Sequence, residues 1–122
     1  VIEEVLGVVV ERLRAEGVDA EMIPVEVWWR RSYDMAEPAL LQTLRDSGAA
    51  SVLWVEMRFG FRERFSVACH GPDGRRAWRE RRSGGSGFTD LHRPHDEFNT
   101  EMVDAVLDDV AGRVGDPCLP AG

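Results

Sequence analysis

SVLWVEMRFGFRERFSVACHGPDGRRAWRERR, residues 51–82, decides how the rest of the chain must be arranged. Leu53, Val55, Met57, Phe59 and Phe61 occupy every second position, the period of a strand with one buried face. Phe65, Val67 and Cys69 resume the alternation after the interruption at residues 60–64. Gly71-Pro72-Asp73-Gly74 then has the composition of a tight turn, because proline presets φ and glycine accepts positive φ without steric cost. Ala77, Trp78 and a run of arginines follow. The pattern predicts an antiparallel three-strand meander over 51–82, with helices covering the Leu53/Val55/Met57 side.

Working outward, residues 1–16 read as an amphipathic helix. Ile2, Val5, Leu6, Val9 and Leu13 form one stripe of a 3.6-residue period, Val8 and Val10 widen it, and Gly17 is placed to end it. Residues 22–29 read as a strand whose Pro24 suits an edge position. A second helix is expected over 35–47, capped near Asp34 or Glu37, carrying Leu40, Leu41 and Leu44 and stopped by Gly48. On the far side of the meander, Ser83-Gly84-Gly85-Ser86-Gly87 has the composition of a flexible loop. A third helix over 96–114 presents Phe98, Met102, Val103, Val106, Leu107, Val110 and Val114, with 115–122 as an extended tail. The fold class is therefore α/β or α+β. One domain spans residues 1–122, with a mixed sheet of about four strands and three helices mainly on one face.

Composition narrows the chemistry. All fifteen basic residues are arginine, so no lysine amine exists for a Schiff base. The net charge of −7 is unevenly spread. Residues 1–50 hold ten acids and five arginines, 51–93 five acids and nine arginines, and 94–122 seven acids and one arginine. A net acidic chain disfavours nucleic acid as a partner. No run of eighteen apolar residues is present, so no transmembrane segment is expected. Because the chain opens at Val1 directly in a helical pattern, an upstream piece such as a signal or membrane tether is expected to precede it.

Cys69 and Cys118 are either a disulfide, suited to an exported protein, or two unpaired thiols. His92, His95 and Asp96, with Cys69 and His70 elsewhere, make the one metal-like grouping. Their place in a Pro-containing loop favours instead polar loop residues and a helix cap, so no metal and no cofactor is expected. There is no nucleophile elbow, and no phosphate-cradling glycine loop leads into a helix. Arg75, Arg79, Arg81 and Arg82, with Trp28, Trp54 and Trp78, are the candidate partner-binding residues; the competing reading is a solvated arginine face and tryptophans in the core.

Two stretches also carry a resemblance. Leu40-Leu41-Gln42-Thr43-Leu44-Arg45-Asp46-Ser47-Gly48-Ala49-Ala50 leading into a strand, and Gly71-Pro72-Asp73-Gly74-Arg75-Arg76-Ala77-Trp78-Arg79 in a hairpin, resemble bacterial envelope lipoprotein accessory domains. These include the penicillin-binding-protein activator lipoproteins, the curli-secretion lipoprotein and the auxiliary lipoproteins of ABC transporters. The resemblance implies a non-enzymatic accessory or assembly domain, periplasmic or outer-membrane-associated, that binds another protein. The alternatives are a small acidic soluble binding module, cytoplasmic and of the immunity or inhibitor type, and, more remotely, a metal-dependent enzyme using His92 and His95.

Overall fold

Alternating side chains become a sheet only when a second strand supplies hydrogen-bond partners, and the meander does this twice. A computed structural model describes residues 2–22, 37–58, 62–85 and 100–122. Its elements are helix α1 (Ile2–Ala15), helix α2 (Glu37–Ser47), strands β1 (Val52–Arg58), β2 (Arg62–His70) and β3 (Arg76–Gly85), and helix α3 (Thr100–Ala111). The strands pair antiparallel in the order β1-β2-β3, an α+β arrangement. The fourth strand expected over 22–29 falls, apart from Met22, outside the described residues; Met22 itself is irregular and largely exposed. Among the described residues the sheet is wholly antiparallel rather than mixed.

Turn chemistry sets the β2–β3 hairpin. The Gly74 amide donates to the Gly71 carbonyl at 2.9 Å, the Gly71 amide to the Arg75 carbonyl at 3.0 Å, and the Arg75 amide to Asp73 Oδ1 at 3.0 Å. Gly74 has φ +79°, a conformation in which a Cβ is disfavoured. A register shift between Cys69 and His70 then sets Cys69 opposite Trp78 and His70 opposite Arg76. β3 continues through Ser83 and Gly84 to Gly85, where the composition predicts a flexible loop. The correction is physical: Arg64, Glu63 and Arg62 of β2 face those residues in register and hold them by the ladder.

One side of the sheet is the core. Phe65, Val67 and Cys69 are 0% exposed, flanked in register by Met57, Val55 and Leu53 on β1. α3 packs against β2 and β3, and α1 packs on α3. Val9 and Leu13 of α1 join Met102, Val103, Val106, Leu107 and Val110 of α3 in the same buried cluster. The α1 stripe is narrower than its apolar content suggests, because Val8 is 49% exposed. Gly17 ends α1 with φ +88° in a Schellman motif: the Val18 amide donates to the Leu13 carbonyl and the Gly17 amide to the Arg14 carbonyl. Two further buried apolar side chains, Leu44 of α2 and Ala68 of β2, lie outside this cluster.

The end of the chain departs from expectation. α3 stops at Ala111, and the residues after it are not extended but coil through successive i→i+3 turns. Asp116 Oδ1 accepts from the amides of Cys118 (2.9 Å) and Leu119 (2.6 Å), and both of those side chains are buried in the core. Cys118 forms a disulfide with Cys69, with Cα atoms 6.2 Å apart. The Gly122 amide donates to the Gly17 carbonyl, which joins the last residue to the end of α1.

Polar clamps close the rim of the core. Arg12 bonds Asp108 (2.7 Å) and Glu16 (3.3 Å), joining α1 to α3; the Asp108 bond is the main reason its guanidinium is held protonated above the ordinary arginine value. Arg113 donates through Nε and Nη2 to Glu80 Oε1 at 3.1 and 3.0 Å. The same guanidinium lies over the Trp78 ring, 5.5 Å from its centroid. Because Arg113 is half exposed, Arg113→Ala is expected to cost only about 1 kcal/mol. Thermal unfolding checks the size of that loss. A red shift of the Trp78 emission should accompany it, since the indole loses its cover.

Candidate protein-docking site

Strand alternation decides which side chains share a surface. With Leu53, Val55 and Met57 turned to the helices, Trp54, Glu56 and Arg58 face the opposite way. Their partners on β2 are Ala68, Ser66 and Arg64, and the next neighbours on β3 are Arg79, Arg81 and Ser83. Three cross-strand rows result: Trp54–Ala68–Arg79, Glu56–Ser66–Arg81 and Arg58–Arg64–Ser83. Arg58, Arg79, Arg81 and Ser83 are exposed, Trp54, Glu56 and Arg64 are half-buried, and the small central residues Ser66 and Ala68 are buried.

The candidate residues therefore divide between two surfaces. Trp54, Arg79 and Arg81 share the face away from α1 and α3. Trp78 and Arg82 lie on the helix-covered side, where Trp78 packs against the core under Arg113 and Arg82 pairs with Asp109 of α3 at 2.6 Å. The Trp78 Nε1 is buried without a hydrogen-bond partner among the described residues, so the ring serves packing rather than recognition. Arg75 sits exposed at the hairpin turn, one residue before β3. Trp28, His92 and His95 lie outside the described residues.

Electrostatics set the two layers apart. Among the described residues, the face away from α1 and α3 carries Arg58, Arg64, Arg79 and Arg81 against a single acid, Glu56, and Glu56 already accepts from Trp54 Nε1 at 2.8 Å. The helices carry the acids: Glu3, Glu4, Glu11 and Glu16 on α1 and after it, and Glu101, Asp104, Asp108 and Asp109 on α3. Asp108 and Asp109 are bound by Arg12 and Arg82, so the helical layer satisfies part of its charge internally. Among the described residues no ion pair involves Arg58, Arg64, Arg79 or Arg81.

Strand pairing is what makes neighbours of Arg58 and Arg64. Six residues apart in the chain, they stand directly opposite each other across β1 and β2. Like charges so placed destabilise a sheet. As for other chemistry, Cys69 is in the disulfide and has no thiol to offer. Among the described residues no group of three His, Cys, Asp or Glu side chains is arranged to hold a metal ion. His70 Nδ1 lies 3.2 Å from the Gly74 carbonyl, a contact within its own hairpin. No helix formed by the described residues is long and apolar enough to cross a membrane.

No protein-family model, curated protein or solved structure matches this chain.

Proposed function

We propose that this chain is a non-enzymatic, protein-binding domain of the bacterial cell envelope, of the accessory or assembly kind, docking through the sheet face around Trp54, Arg79 and Arg81. The observation that carries the reading is the arrangement of that face: exposed guanidiniums without internal partners among the described residues, set beside a half-buried indole. Arginine and tryptophan are the residues that most often anchor protein interfaces. The Cys69–Cys118 disulfide supports an exported location, since such bonds persist in oxidising compartments and are rare in the cytosol. The envelope assignment draws further on the wording of residues 40–55 and 71–79.

A second reading, an acidic binding module that meets a basic target through its helices, rests on exposed Glu101 and Asp104 of α3. It is the weaker of the two, because Asp108 and Asp109 on the same helix are already engaged.

Affinity capture from extracts of the producing cells separates them. Arg79→Gln/Arg81→Gln should lose the captured partner, whereas Arg82→Gln, which removes a charge from the helix-covered side, should retain it. If Glu101→Gln/Asp104→Asn abolished capture and the arginine double variant did not, the acidic module would replace the present proposal.

A further inference from the structure

Four arginines on one sheet face raise the question of what neutralises them. Arg58 and Arg64 are direct cross-strand partners, and Arg81 lies in the adjoining row. Among the described residues that face has one carboxylate, Glu56, and it is held by the Trp54 indole. A folded domain gains nothing from opposing guanidiniums, so their counter-charge is to be sought in a ligand.

We infer that Arg58, Arg64, Arg79 and Arg81 receive an acidic segment of a partner protein, whose carboxylates supply the counter-charge that the described residues of this face do not. The inference rests on the docking reading above and names the partner's chemistry.

Geometry and charge favour carboxylates on a short segment over a long polyanion. Residues two apart in a strand project to the same side about 6.8 Å apart, so Arg79 and Arg81 match an extended segment with an acid at alternate positions. Guanidinium and carboxylate form bidentate, charge-assisted hydrogen bonds. A nucleic acid strand or an anionic membrane would extend beyond this face. There it meets the field of a molecule with net charge −7 and helices rich in Glu and Asp. A short acidic segment stays within the basic face, and at physiological salt charges more than about 8 Å away are largely screened from it. Trp54 also suits this reading, since its Nε1 is tied to Glu56 and its ring is half-buried rather than splayed for base stacking.

The test uses the full 122-residue chain and a labelled ten-residue peptide with glutamate at alternate positions, followed by fluorescence anisotropy at low and at physiological salt. Its glutamine counterpart, a single-stranded oligothymidylate and vesicles containing phosphatidylglycerol serve as competing probes. The glutamate peptide should bind, weaken as salt rises, and lose at least about tenfold in affinity, or about 1.4 kcal/mol, in Arg58→Gln/Arg64→Gln. The glutamine peptide should not bind. The same double variant should unfold roughly 1–4 °C higher, because a repulsive pair has been removed. A merely structural pair would move the Tm down instead, and that result overturns the inference. Tighter binding of the oligonucleotide or the vesicles than of the glutamate peptide overturns it in favour of those ligands. If no probe bound, while a captured cellular partner still depended on Arg79 and Arg81, the carboxylate inference would fall and the docking face would stand.

Discussion

Replacing Cys69 and Cys118 together with alanine should lower folding stability by about 4 kcal/mol, the value a chain-entropy treatment gives for a loop of this size. The two cysteines are 49 residues apart, and the bond closes a loop that contains β3 and all of α3. Without it the unfolded chain regains the freedom to separate Cys118 from the central strand. The folded state also loses the anchor that keeps the turn after α3 against the sheet. Urea unfolding of the double variant, compared with the wild type before and after reduction, measures the effect. Reduction alone should reproduce most of it. A loss below about 1 kcal/mol in both would mean that Asp116 and the burial of Leu119 hold the tail unaided.

Phe65→Ala should be similarly damaging, at about 3–5 kcal/mol. Phe65 is fully buried on the middle strand, between Met57 and Arg82 in register, and belongs to the cluster that α1 and α3 close. Truncation leaves a cavity in a place bounded by strands on both sides, so the surroundings cannot collapse into it. Phe65→Leu keeps most of the volume and should cost less than about 1.5–2 kcal/mol. Thermal denaturation of the two variants gives the comparison. Near-equal losses for Ala and Leu would show that ring packing, rather than filled volume, sets the energy.

Much of the architecture was legible because it depends on short-range pattern. Phe65, Val67 and Cys69 alternate without interruption, and all three are fully buried. The proline and glycines of 71–74 make the turn their chemistry demands. Met102, Val103, Val106, Leu107 and Val110 form the stripe of α3.

What escaped the sequence is non-local. Whether Trp54 and Trp78 share a face depends on how three strands line up, and that depends on the shift between Cys69 and His70. Trp54 thereby stands opposite Ala68, and Trp78 opposite Cys69, on opposite sides of one sheet. Ser83 to Gly85 have the composition of a loop, but a partner strand outweighs local preference. The tail looked extended because Asp116, Pro117 and two terminal small residues favour no regular element. Its hold comes from an Asx-type turn and a bond to a strand far back in the chain. Asp116 beside a proline, just ahead of Cys118-Leu119, was the signal available for that turn.

The position of the half-cystines bears on how the protein is made. Cys69 lies in the middle of the sheet, whereas Cys118 follows the last helix. Oxidation must therefore wait until synthesis has passed α3, and by then every strand of the meander has been produced. The crosslink therefore closes only after β1, β2, β3 and α3 have all been made, and it ties the turn after α3 to a sheet whose three strands already exist.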